Sequence, residues 1–226
     1  MERLTQKDPA NAAWQRDLSV SYSKVGGVLG DQGDHTGALK SYNDSLAIRQ
    51  KLAKQDPSNA AWQLDLSNGY ERVGSAQSAQ GDLAGALESY HSELAITDKL
   101  VKQDPSNAEW QLDLSIGYEK IGDVQSARGD LAGALKSNRD CLAIREKLAK
   151  QDRSNAGWQS DLAYSYWCTG SALARSDPHS QKEARSMIEK GRDILRQLKE
   201  QTGLGAQAQG WLDSIEADLR KMQGQK

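Results

Sequence analysis

The chain has 226 residues, with 29 basic and 31 acidic side chains interspersed to a net charge of −2. That length holds one large domain or two small ones, and the balanced charge offers no long-range field for DNA, RNA or anionic lipid. No apolar run approaches the roughly 20 residues of a transmembrane helix, and the opening MERLTQKDPA lacks the order of a secretory signal, so a cytoplasmic protein without nucleic-acid or membrane partners is expected.

Trp14, Trp62, Trp110 and Trp158 stand 48 residues apart at each step, inside the phrases NAAWQRDLS, NAAWQLDLS, NAEWQLDLS and NAGWQSDLA. Tyr22, Tyr70, Tyr118 and Tyr166 keep the same step, as do Gly26, Gly74, Gly122 and Gly170. Ala38, Ala86 and Ala134 repeat likewise, with the pairs Gly33-Asp34, Gly81-Asp82 and Gly129-Asp130. Self-similarity at such a period marks stacked supersecondary units, none of which buries a core alone. Phe is absent, and the apolar residues form a helix-rich alphabet with few β-branched members.

In chain order, residues 1–10 read as the tail of a preceding helix, because Arg3–Trp14 aligns with Lys51–Trp62. Four antiparallel hairpins follow, over about 11–58, 59–106, 107–154 and 155–202. The second copy shows the pattern best. Pro57 suits the start of a helix, and Ser58 or Asn59 can cap it. In the third copy Ser106 and Glu109 have the spacing of a capping box. The first helix of the second copy runs to about Ala79. Gly81 then offers a left-handed residue and Asp82 a cap for the next helix. That second helix, Leu83 to Lys102, sets Ala86, Leu87, Tyr90, Leu94 and Leu100 at helical spacing, and Asp104-Pro105 ends it. The fourth copy slips by two residues within SDPHSQKEA, so Ala184 takes the place of Ala134. Residues 203–226 break at TGLGAQAQG and then supply a capping helix and tail, with Trp211, Leu212, Ile215 and Leu219 on one face. The first repeat has no such cap. An apolar strip near Leu18, Tyr22 and Val25 is therefore expected to lie open and to promote end-to-end self-association.

The second repeat resembles the tetratricopeptide repeat (TPR) through Tyr70, Val73-Gly74, Gly81-Asp82, Ala86 and Tyr90. The family's later small residue is less well kept, being Ser45, Glu93 and Cys141 in the first three copies. The resemblance implies an all-α fold, a right-handed α-solenoid of helical hairpins with a C-terminal capping helix. The usual period is 34 residues. Here 14 more are present per repeat, which predicts elongated helices of about 20 residues and near 30 Å. Trp14, Trp62, Trp110, Trp158 and the glycines Gly26, Gly74, Gly122 and Gly170 then read as structural anchors. The repeated Asp17, Asp65, Asp113 and Asp161 read as helix-face carboxylates paired to nearby Lys or Arg.

Little chemistry is visible. His35, His91 and His179 lack partners at metal-ligand spacing, no glycine-rich loop follows a strand, and no nucleophile elbow occurs. Cys141 and Cys168 form no CxxC and read as small core residues. No cofactor, metal or catalytic activity is expected. The resemblance implies a protein-interaction scaffold whose first helices line a concave groove for a peptide or helix of a partner. The alternative is a regulatory or sensor region of a larger multidomain protein. Carried over by alignment, the groove is Ser23, Glu71, Glu119 and Trp167, then Gly27, Ser75, Asp123 and Ser171, then Gly30, Ser78, Ser126 and Ala174, with Tyr164 beside Trp167. Its acidic middle and aromatic end predict a basic partner carrying an apolar anchor, held on Trp167 in an open groove. The Lys and Asn with which some family members grip a C-terminal carboxylate are missing from the first two rows.

Overall fold

The structure, a computed structural model, describes Asp8 and residues 11–223. The reading of residues 1–10 as a helix tail falls, apart from Asp8, outside the described residues. Those described form nine α-helices and no strand: α1 Ala12–Asp31, α2 His35–Gln55, α3 Ala60–Ala79, α4 Leu83–Gln103, α5 Ala108–Ala127, α6 Leu131–Gln151, α7 Ala156–Ser176, α8 Gln181–Thr202 and α9 Ala206–Gln223. A 3-10 turn, Pro178–Ser180, precedes α8. The first helices of the four repeats have 20, 20, 20 and 21 residues, as the 48-residue period predicts.

The turns carry the punctuation. Gly33, Gly81 and Gly129 take φ of 82°, 82° and 81°, a left-handed conformation that a side chain would strain. The following aspartates cap the second helices, Asp82 Oδ1 accepting from the Gly85 N–H at 3.0 Å. In the fourth copy Asp177 and Pro178 replace this turn, and the 3-10 turn absorbs the slip. Of the two capping residues the sequence offers, the first helices use the asparagine. Asn11, Asn59, Asn107 and Asn155 each accept the Trp N–H three residues on, every time at 3.1 Å. Ser58 and Ser106 instead donate to Asp56 and Asp104. The Ser106–Glu109 capping box therefore does not form, and Pro57 lies in the turn before the helix. The physical reason is the Asx-type turn, which takes up the serine before the helix begins.

The chain divides into two compact units, Met1–Trp110 and Gln111–Lys226. In the first, α1 packs on α2, α2 on α3 and α3 on α4. Its described core joins Ala38, Tyr42 and Leu46 to Val73 and Ala76. In the second unit α6 packs on α7, α7 on α8, and α9 on α8 and α7. Here the core gathers Ala163, Ile188, Leu195, Leu198, Leu212, Ile215 and Leu219. The capping-helix residues Leu212, Ile215 and Leu219 are thus buried, while Trp211 is half-buried.

The repeated glycines mark close approaches. A Cβ on Gly74 would lie 2.8 Å from the Tyr90 ring, and one on Gly26 2.7 Å from that of Tyr42. Asn138 takes the ring's place against Gly122, at 2.4 Å. The four repeat tryptophans are half-buried, and in the second and fourth copies the glutamine beside them makes the bond to the neighbouring helix. Gln63 Nε2 donates to the Ala53 carbonyl at 3.2 Å, and Gln159 Nε2 to that of Ala149 at 2.9 Å. Asp65 is paired as its sequence position suggested, with the Arg16 guanidinium at 2.5 Å.

Candidate partner-binding surface

The buried stripe of the second helices is unexpectedly polar. Positions spaced as Ala38, Tyr42, Ser45, Arg49 and Leu52 are all buried, and the stripe recurs as Ala86, Tyr90, Glu93, Thr97 and Leu100, then Ala134, Asn138, Cys141, Arg145 and Leu148. Arg49 is 7% exposed and Arg145 4%. The Arg49 Nη1 donates to the Asp65 carbonyl at 2.7 Å, and Nη2 to Ser23 Oγ at 3.2 Å. Arg145 repeats this in the second unit. Its Nη1 donates to the Asp161 carbonyl at 3.3 Å and to Ser165 Oγ at 3.0 Å, and its Nε to Ser115 Oγ at 3.2 Å. Its Nη2 meets Glu119 Oε2 at 2.6 Å. Each arginine thus ties its own hairpin to the first helix of the next. Burial pushes the Arg49 pKa down. Burial also opposes the charge on Arg145, but the neighbouring Cys141 sulfur, ionised at the high pH where the arginine titrates, together with the Glu119 and Asp161 carboxylates, more than offsets it.

This network changes the standing of several groove residues. Ser23 and Glu119 were expected to face a partner; instead each serves a buried arginine. Tyr164 and Trp167 differ from expectation too. The Trp167 indole N–H donates to Asp218 Oδ2 on α9 at 3.0 Å, and the ring packs half-buried against the α7–α9 core. Tyr164 lies between Trp167 and Trp211, with ring centroids 5.9 and 4.7 Å away. Both aromatics therefore belong to the packing of the last helix and do not line an open groove. The cause is a contact between residues 51 apart in sequence, which repeat alignment alone does not carry.

Among the other wall residues, Ser75 Oγ lies 3.1 Å from the Tyr90 hydroxyl, and Ser126 Oγ accepts from Arg175 Nη1 at 3.0 Å. In the first unit Glu71 is half-buried, accepts the Ser75 hydroxyl at 3.1 Å and lies 3.7 Å from Arg72 Nε. In the second, Ser171 is half-buried and Asp123 exposed. Asp123 has open surface on one side but is crowded on the others. Desolvation, with the charge of Glu119 one turn away, pushes its carboxyl up to about 6. Nothing near this wall resembles a nucleophile. Burial pushes the Cys141 thiol up to about 11 and Cys168 to about 12, so both are protonated at neutral pH. Among the described residues no cluster of His, Cys, Asp and Glu is placed to hold a metal, and no helix is long and apolar enough to cross a membrane.

With this geometry in place, solved structures supply the comparison. BtubC (BKLC) from P. vanneervenii matches at TM-score 0.66 and 18% identity, over 99% of this chain and 81% of that one. The apo form of RapI matches at 0.64 and 12%, over 97% and 73%. A Podosopora anserina protein with nearly identical TPR-like repeats matches at 0.53 and 20%, over 93% and 97%. The fold is that of TPR-like repeat proteins. No protein-family model and no curated protein matches the sequence. The likeness therefore carries the all-α repeat architecture and not a particular partner or pathway.

Proposed function

We propose that the chain is a non-catalytic protein-interaction scaffold whose first-helix faces hold a basic segment of a partner protein. The observation that carries this is Asp123, an exposed acid with no ion pair among the described residues, whose carboxyl is lifted by desolvation and by Glu119 despite the partial opposition of Lys120 and Arg145. The charge of a lysine or arginine brought to it offsets the desolvation cost and the repulsion from Glu119. Glu71 and Ser75 offer a comparable polar patch in the first unit.

Asp123 should then trade stability for binding. Its folded pKa lies above the ordinary 3.8, so the charged form is penalised in the fold above pH 6, and the penalty vanishes as pH falls toward 4. Asp123→Asn should accordingly raise the melting temperature at pH 7, with the gain fading between about pH 6 and pH 4. The same substitution should weaken a lysine-flanked peptide about tenfold in a fluorescence titration at pH 7.5, or about 1.4 kcal/mol. A variant that binds such peptides as well as the parent, or that melts earlier at pH 7, would remove the basis of this reading.

A second reading rests on a separate observation. Val25 and Val28 are 49% and 56% exposed, while their counterparts Val73 and Ala76 in α3, and Ile121 and Val124 in α5, are buried. We infer that this face of α1 mediates self-association of two copies. Sedimentation of the parent should show mass rising with concentration, and Val25→Lys with Val28→Glu should hold the chain monomeric without lowering its melting temperature. A parent that stays monomeric throughout counts against it.

A further inference from the structure

We propose that the cavity between α6, α7 and α8 is a second docking pocket, for an acidic peptide segment that carries one bulky apolar side chain. The cavity measures about 400 Å³, within the range of sites that hold a small ligand or a single anchoring side chain. Ala149, Leu162, Ile194 and Leu198 give it apolar walls, and the buried Leu142 clusters with Ala149 and Leu162 behind them. Lys150 and Arg153 stand exposed at its rim.

The charge at this rim shows in comparison with the second copy, the first copy having Gln50, which donates to the Tyr70 hydroxyl at 3.0 Å, one turn before Lys54. In α4, Lys102 is neutralised by Asp98 at 2.5 Å, one turn before it. The matching pair in α6 is Lys150 and Glu146, but Glu146 Oε1 accepts the Tyr166 hydroxyl at 2.5 Å. Lys150 is left without an ion pair among the described residues. Arg153 stands where the sister turns have Pro57 and Pro105, so this copy alone places a cation there. Lys190, 5.5 Å above the Tyr166 ring, belongs to the adjoining hollow, which it lines together with Asp193. The rim thus holds two cations, Lys150 and Arg153, against one acid, Glu146, that is already hydrogen-bonded.

An anion is the complementary occupant, and the apolar floor asks for a side chain beside it. A nucleic-acid strand fits poorly, because the chain has a net charge of −2 and no extended basic field. The peptide chemistry is opposite in sign to that proposed for the first-helix faces, so the two sites are separable by experiment.

Fluorescein-labelled peptides Glu-Glu-X-Glu-Glu, with X as Leu, Ile, Phe or Trp, test this by anisotropy against the full chain at physiological salt. At least one should bind saturably below about 1 mM, and Ala at X should abolish it. Lys150→Glu with Arg153→Glu should weaken the best peptide at least tenfold, with the melting temperature unchanged because both side chains are exposed. Asp123→Asn should leave it unchanged. The proposal is overturned if none of the four binds, if the charge reversal changes affinity less than twofold, or if a Lys-flanked peptide binds this rim as well. Decanoate that binds there and is not displaced by any peptide would also overturn it, assigning the cavity to a free amphiphile.

Discussion

Glu119→Ala is expected to cost about 3 kcal/mol of stability, and Arg145→Met only about 1. The two substitutions break the same 2.6 Å ion pair but leave different residues behind. Without Glu119, a guanidinium with 4% side-chain exposure keeps its charge and loses its counter-ion; Ser115, Ser165 and the Asp161 carbonyl compensate only in part. Without Arg145, the carboxylate left over is 19% exposed and finds water, while Met refills the stripe. Urea unfolding at pH 7 measures both. Equal costs would mean that the pair is too well solvated to matter. A larger cost for Arg145→Met would mean that the arginine mainly joins hairpins through its neutral hydrogen bonds.

Gly191→Ala should be nearly as damaging, at about 2–3 kcal/mol. Its Cβ would lie 2.6 Å from the Ala163 carbonyl oxygen, and that of Gly170 would lie 2.7 Å from the Ala184 carbonyl. Both obstacles are backbone, so α7 and α8 would have to move apart. Gly74→Ala meets a tyrosine ring instead, which can tilt, and should cost less. Gly210 on α9 has open space around it, and Gly210→Ala should be neutral or stabilising by up to about 1 kcal/mol. Thermal melts of the three variants in one buffer give the ranking. A mild Gly191→Ala would show that the α7–α8 contact is looser than described.

Much of this architecture was legible because its signals are local. The 48-residue step set helix lengths, and Gly81-Asp82 announced a left-handed turn followed by a cap. The caps themselves were harder to choose, since Ser106 and Asn107 are both good capping residues and only the turn geometry decides between them. The buried arginines were missed for a different reason. Arg49 and Arg145 read as surface residues by type, yet they fall at helical spacing between Tyr42 and Leu52, and between Asn138 and Leu148. A polar residue held in the register of an apolar stripe was the available signal. The aromatic end of the wall could not be read correctly, because the contact that covers Trp167 comes from Asp218 on α9. Asp123, by contrast, was placed on the wall by alignment alone, and it is the wall residue on which the proposed binding now chiefly depends.

The most direct test of the scaffold reading is capture of partners from native lysate by two forms of the full chain, compared quantitatively by mass spectrometry. One form is the parent; the other carries Glu71→Lys and Asp123→Lys, two substitutions outside the arginine network, and is first checked for an unchanged melting temperature. The account predicts a defined set of proteins retained by the parent and lost from the variant, released from the parent by lysine-flanked peptides and by raised salt. Identical recovery by the two forms would contradict it, because the first-helix acids would then play no part in holding a partner.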